Sequence, residues 1–191
     1  NERVRNMIQF KSTVNFKNEK TNLVVGVFSD TTHPLFLQLD KALNKRLSAS
    51  LEEKLIPTTF KEITPIYPLG QIESKKVYIV GLGKSTDFNT EKCRQVIGQV
   101  AKIAKDDVTI LLETFDSKQT SINELATICG EAITLATYKM ETYKTEEKVK
   151  TPVKFYIHSE CSIEADLKRG IIYGEATNLS LIHISEPTRR T

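Results

Sequence analysis

Short runs of β-branched and aromatic residues, bounded by polar and turn residues, recur along the chain at intervals long enough to hold helices. Met7–Phe10, Leu23–Phe28, Val77–Val80, Val108–Leu112 and Val153–Ile157 predict strands, and Ile63–Tyr67, between Pro57 and Pro68, predicts a weaker one. Three of these runs are nearly all apolar, the pattern of strands covered on both faces. Between them the apolar spacing changes to three and four. Leu35, Leu39, Leu43, Leu47 and Leu51, joined by Phe36 and Ala42, draw one stripe and predict one helix. A strict step of four drifts around the helix axis, so the stripe reads as core and not as a coiled-coil seam. Cys93, Val96, Ile97, Val100, Ala101 and Ala104 predict a second helix. Ile122, Leu125, Ala126, Cys129, Ala132, Ile133 and Ala136 predict a third, opened by Ser121 and Glu124 at capping-box spacing. Lys139–Lys150 mixes Lys and Glu with few apolar residues and reads as a solvated loop or frayed helix end. Helical character returns from Ser162 to Asn178 around Ile163, Leu167 and Ile171, which reads as a connector with those three residues exposed for packing against a further domain. The alternation of strand and helix predicts an α/β fold.

Composition narrows the class without naming an activity. A chain of 191 residues, 39% hydrophobic and 27% charged, has the makeup of one globular domain. A domain near this size buries roughly 70% of its unfolded surface, so its core needs no disulfide or metal staple. No stretch approaches the roughly 18 to 20 apolar residues of a membrane span, and Asn1–Arg5 lacks a signal-peptide core, so the reading is cytoplasmic. The net charge of +3 comes from interspersed acids and bases, which makes no field strong enough to call for a polyanionic partner.

Candidate chemistry is sparse. Cys93, Cys129 and Cys161 lie more than 30 residues apart with no CxxC or CxxH, as suits a reducing compartment. Cys93 and Cys129 fall on apolar stripes and read as small buried hydrophobes, with nucleophile or ligand the minority alternative. His33, before Pro34 in a turn, and His158, closing a strand, have no neighbour that suggests acid–base work. Asp30, Asp40 and Asp87 read as loop or helix ends and Asp106-Asp107 as a solvated turn, none of them a desolvated acid. Val77–Ser85 runs a strand into Gly81-Leu82-Gly83-Lys84, yet Tyr78 stands where a P-loop needs glycine and Thr86 where a dinucleotide fingerprint needs one. The glycines read as a strand-to-loop turn, or as a close approach of backbone to something, with an anion site the alternative. No catalytic, cofactor-binding or metal-ligating residue is assigned in this chain.

Three stretches taken in order carry more. Pro68-Leu69-Gly70 leads to Val77–Lys84; Leu135–Met140 follows with Tyr143-Lys144-Thr145; then comes Gly174-Glu175-Ala176-Thr177-Asn178-Leu179. In that order they resemble the N-terminal domain of the leucyl aminopeptidase (cytosol aminopeptidase) family, over roughly residues 7 to 179. Glu91 and Arg94 also have counterparts there. The resemblance implies a macro-domain-like mixed sheet with flanking helices, ending in an interdomain connector helix. It also implies a parent enzyme, assembled as a hexamer, that removes N-terminal residues from peptides. That enzyme's two divalent metals, zinc or manganese, sit in a catalytic domain whose Asn-Thr-Asp-Ala-Glu-Gly-Arg motif this sequence lacks. The fragment alone is therefore expected to be inactive. Two other readings accompany this one. A stand-alone macro-like module would hold ADP-ribose near strand ends such as Gly81-Leu82-Gly83. A DNA-binding domain would use a stripe through Lys11, Lys17 and Lys20, or through Lys139, Lys144, Lys148 and Lys150, but acids and spacers interrupt both, and nucleic acid and membrane are not expected partners.

The chain opens on Asn, which reads as a start inside a reading frame, and its character changes near the other end. Leu179–Arg189 resembles the translation of a sequencing adapter, in which case His183, Arg189 and Arg190 carry no functional information; a short amphipathic element ending at Pro187 is the alternative. The expected organisation is a macro-like domain over residues 1–158, the start of a connector helix over 159–179, and a non-native tail over 180–191.

Overall fold

The computed structural model describes residues 2–143 and 152–185. Six strands form one sheet: β1 (Ile8–Lys11), β2 (Asn22–Phe28), β3 (Ile63–Ile66), β4 (Val77–Gly83), β5 (Val108–Leu111) and β6 (Phe155–His158). Their order is β1-β6-β5-β2-β4-β3, parallel throughout except for the antiparallel edge strand β3. The sheet is mixed, as expected. Pro65, which has no N–H to give, lies on that edge, where a missing donor breaks no ladder.

The central strands sort their side chains with a period of two, and this builds two cores. On β2, Val24 and Phe28 face one core while Leu23, Val25 and Val27 face the other; on β4, Val80 and Leu82 oppose Val77 and Ile79. The first core is roofed by α4 (Thr90–Ile103), α5 (Ile122–Tyr143) and α6 (Glu164–Ser185), with α1 (Glu2–Met7) adding Val4. The second is roofed by α2 (Pro34–Ala42) and α3 (Arg46–Glu52), through Leu35, Phe36, Leu39, Leu43 and Leu47. The result is a three-layer sandwich, helices on both faces of a mostly parallel sheet.

Two expectations require correction. The stripe from Leu35 to Leu51 is two helices, not one: Asn44 and Lys45 adopt φ of 54° and 63°, the left-handed region that stops a helix. Asp40, read as a loop or helix end and not as a desolvated acid, is buried and receives the Leu47 and Ser48 amides on Oδ1 at 2.9 and 3.0 Å, capping α3 from seven residues upstream. The leucines stay on one face across the break, which is why the spacing concealed it.

The second correction concerns α6. Ile163, Leu167 and Ile171, expected to be exposed, are buried in the first core. The helix lies along α5 at a glycine crossing: a Cβ on Gly130 would stand 2.5 Å from the Leu167 carbonyl oxygen, and one on Gly174 2.8 Å from Thr134 Cβ. Gly170 sits still tighter, against the Thr127 carbonyl. The large apolar residues α6 exposes are instead Ile172, Tyr173, Leu179, Leu181, Ile182 and Ile184. Helix α6 runs on through the segment expected to be foreign as far as Ser185, while Pro187, Arg189 and Arg190 lie outside the described residues.

Candidate functional site

In an open α/β sheet the carboxyl ends of the parallel strands are where ligands gather. Here β2, β4 and β5 end around a cleft of about 270 Å³. Its floor is Gly26, Val27 and Phe28 at the end of β2; its walls are the Thr31–Pro34 loop, Ser85 and the segment Thr114–Lys118. The sequence reading missed most of these residues, because they are isolated hydroxyls and loop residues that only the strand order brings together.

Each wall has a local cause. His33 precedes the first turn of α2 and caps it, its Nδ1 accepting the Leu35 N–H at 3.0 Å; Pro34 at the first helical position needs no acceptor. Burial pushes the His33 pKa down, with Lys118 adding to the effect and Glu113, Asp116 and Glu160 opposing it. Asp30 accepts the Ser85 N–H at 2.9 Å and the Ser85 hydroxyl at 2.7 Å, and these bonds hold its carboxyl below the usual range. Thr114 closes the floor. Its hydroxyl accepts the Gly26 N–H at 2.8 Å and donates to the Leu111 carbonyl at 2.6 Å.

The glycine run at the end of β4 stands apart from this cleft's floor. Gly81 donates to the Glu62 carbonyl at 2.8 Å and Gly83 to that of Thr58, also at 2.8 Å. A Cβ on Gly81 would overlap the Thr59 carbonyl. The close approach expected of these glycines is to the chain's own segment before β3. Gly83, with φ of 70°, then turns the chain so that its carbonyl accepts the Ser29 N–H.

The remaining candidates are structural. Cys93 and Cys129 are fully buried, and burial pushes the first thiol up to about 12 and the second well above its ordinary value. Cys161 is exposed. His158 is buried with Nδ1 2.8 Å from the Lys11 carbonyl oxygen. Asp107 accepts the Lys154 N–H at 2.9 Å, anchoring the entry to β6. Arg94 pairs with Glu91 at 2.6 Å and with Glu131 at 3.3 Å, bracing α4 against α5. Of the lysines considered for nucleic acid, Lys11 is paired with Glu19 at 2.8 Å, while Lys17 and Lys20 border an open groove with Lys75. Lys144, Lys148 and Lys150 lie outside the described residues, as does Thr145. Among the described residues no group of three or more His, Cys, Asp or Glu side chains gathers to hold a metal ion. None of their helices is long and apolar enough to cross a membrane.

A six-stranded macro-type sheet, a glycine turn tucked under the β3 segment and a terminal helix crossing α5 on glycines together define an α/β domain of a specific kind. The profile of the cytosol aminopeptidase family, N-terminal domain, matches residues 24–147, and the chain belongs to that family. Among solved structures, a tomato leucine aminopeptidase variant aligns over 94% of this chain and 38% of its own, at 20% identity and TM-score 0.71. The bottromycin maturation enzyme BotP aligns over 88% of this chain and 33% of its own, at 15% identity and TM-score 0.61. An Oceanobacillus iheyensis macrodomain variant aligns over 89% of this chain and 92% of its own, at 15% identity and TM-score 0.56. The chain thus spans a third to two fifths of the length of the tomato aminopeptidase and BotP structures and nearly all of the macrodomain, and it shares their fold.

Proposed function

We propose that this chain is the non-catalytic N-terminal domain of a metal-dependent leucyl aminopeptidase, and that the hydrolysis belongs to a catalytic domain outside these residues. The observation that carries the proposal is the family match over residues 24–147 in a chain that aligns with only 38% of a leucine aminopeptidase. In this reading residues 1–158 form the macro-like domain, 159–179 begin the interdomain connector and 180–191 are not native sequence. The described residues do not fit the family's two divalent metals, so no catalytic step is assigned to them. Zinc or manganese would act in the other domain, which with hexameric assembly in the cytoplasm would complete the enzyme and its peptide site. The role left for this domain is to support assembly and shape access to that site.

Two measurements test the proposal. The purified chain, given leucine p-nitroanilide with manganese or zinc, is expected to release no p-nitroaniline above the metal-only background; metal-dependent turnover would overturn the assignment of catalysis elsewhere. Sequencing the source DNA across the Asn178–Ser180 junction, from primers well outside it, is expected to show the frame running on into a catalytic domain with an Asp-Ala-Glu-Gly-Arg segment. A frame that reads through to Thr191 and stops would refute the parent enzyme.

A further inference from the structure

Leu69 belongs to neither core and does not line the cleft. It is 86% exposed, and its φ of 53° lies in the left-handed region, which a residue with a Cβ enters only at a cost. Gly70 follows at φ of 90°, and the Gln71 N–H donates to the Pro68 carbonyl at 3.2 Å, closing a turn with positive φ at both central positions. Turns of that form favour Gly, Asn and Asp. A leucine there serves neither the backbone nor the core. An aliphatic side chain held out in water on a strained turn is the kind of outlier that gathers at ligand clamps.

The turn is braced from below. Arg46, in α3, donates from Nη1 to Gln71 Oε1 at 2.6 Å and from Nη2 to the Tyr67 carbonyl at 3.1 Å. The turn forms one wall of an open groove of about 720 Å³ at the amino ends of β2 and β4, the pole of the sheet opposite the cleft. The other walls come from the segments that precede those two strands, and they are tied to each other. The Glu73 N–H donates to the Lys17 carbonyl at 3.1 Å, and the buried Ser74 hydroxyl lies 2.7 Å from the carbonyl oxygens of both Glu19 and Thr21. A surface fixed in this way loses little freedom when something binds to it.

Charge selects the occupant. Lys17, Lys20 and Lys75 line the groove against Glu73 alone. Among the described residues none of these three lysines has an ion-pair partner, and Glu19, which lies between the first two in the chain, is taken by Lys11 and Thr21. Lys76 adds a fourth positive charge, its Nζ 5.8 Å from the centroid of the Tyr67 ring. Tyr67 is the one aromatic side chain lining the groove among the described residues, and an ammonium covers one of its faces, so the row of stacking rings that holds single-stranded nucleic acid is missing there.

We propose that this groove docks an acidic peptide segment of a partner protein, with an apolar side chain of that segment packed on Leu69 and its carboxylates met by Lys17, Lys20 and Lys75. The proposal does not rest on the peptidase reading, since it uses only the turn, the groove and their charges.

The test titrates the full 191-residue chain into a fluorescein-labelled peptide, Glu-Glu-Leu-Glu-Glu-Phe, followed by anisotropy at low salt. A saturable rise, half-complete below about 1 mM and weakened by added salt, is expected; its absence would overturn the proposal. The same peptide with Ser in place of Leu and Phe is expected to bind at least about tenfold more weakly, and equal binding would overturn the role of Leu69. Paired Lys17→Glu and Lys75→Glu substitutions should weaken binding at least about tenfold with the urea midpoint unmoved. Leu69→Asn separates docking from folding: it should weaken binding about tenfold while raising the urea midpoint, because Asn tolerates the left-handed turn. A lowered midpoint would show that Leu69 serves the fold, and would overturn the proposal. So would tighter binding of labelled oligothymidylate that Leu69→Asn leaves intact and the lysine reversals abolish, since that result would make the groove a nucleic-acid surface.

Discussion

The imidazole of His33 can cap α2 only while it is neutral, since its Nδ1 accepts the Leu35 N–H and protonation would turn that acceptor into a donor. Burial lowers its pKa, so between that lowered value and about 6.5 the unfolded chain binds more protons than the folded one and stability rises with pH. The contribution is therefore complete above about 6.5 and lost as pH falls through the folded value. His33→Asn, which caps without titrating, is expected to remove that dependence from the melting temperature; His33→Ala should cost about 0.5 to 2 kcal/mol near neutral pH. Glu19 behaves analogously at lower pH. Burial alone would raise its pKa, but hydrogen bonds from Lys11 and Thr21 outweigh burial and lower it. Its stabilisation is thus present above the ordinary carboxylate range and lost as pH falls through the depressed value. Glu19→Gln should cost about 1 to 3 kcal/mol by urea denaturation at pH 7 and flatten the acid limb of stability against pH. The cysteines give a count. A thiol reagent should modify Cys161 alone in the folded protein and all three once urea unfolds it, and modification of Cys93 or Cys129 under native conditions would contradict the burial described here.

Among the elements, the glycines of α4 and α6 separate two meanings of one residue type. Gly98 in α4 has nothing within 4 Å of where a Cβ would go, so Gly98→Ala should stabilise the protein by about 0.5 to 1 kcal/mol. Gly170→Ala, placed against the Thr127 carbonyl, must push two helix backbones apart and should destabilise by at least about 1 to 3 kcal/mol. Chemical denaturation of the two variants checks both signs. This crossing also gives physical content to the Gly174-Glu175 stretch by which the family was recognised in the sequence: its glycine is where a terminal helix meets the domain. Strands were legible because a sheet covered on both faces writes itself as short apolar runs, and all six appear where Met7–Phe10 through Val153–Ile157 and Ile63–Tyr67 predict them, within two or three residues. The break at Asn44-Lys45 was not legible, because Leu43 and Leu47 stay buried on one face across it and the Asp40 cap acts through space. Helix α1 escaped notice for a different reason: its six residues are too few to show a period. The cleft was the least legible of all, since Gly26, His33, Ser85 and Thr114 are joined only by the order in which β2, β4 and β5 lie side by side.

At the scale of the molecule, the two faces of α6 divide folding from association. Leu167 and Ile171 belong to the same core as Val96 and Ile133, so Leu167→Ala or Ile171→Ala should cost about 2 to 5 kcal/mol and shift the unfolding of the whole domain. Ile172 and Tyr173, the next residues along, are each 49% exposed, and Leu179, two turns further, is 61% exposed. Apolar side chains grouped on one exposed helical face favour association, because bringing two such faces together removes area from water at about 25 cal/mol per Å². The isolated chain should therefore sediment with a weight-average mass that rises with concentration. Paired Ile172→Glu and Tyr173→Glu substitutions should abolish that rise while moving stability by no more than about 0.5 kcal/mol, as surface changes do. Loss of stability comparable to that of Leu167→Ala would mean that these side chains are folded into the domain, and a mass independent of concentration in the unsubstituted chain would mean that the exposed face is too small to act. The two helix faces differ by a rotation of one residue, about 100° on a helix of 3.6 residues per turn. The sequence pattern placed the apolar residues on α6 but could not say which belong to the core, because that depends on where Gly130, Gly170 and Gly174 let α5 approach.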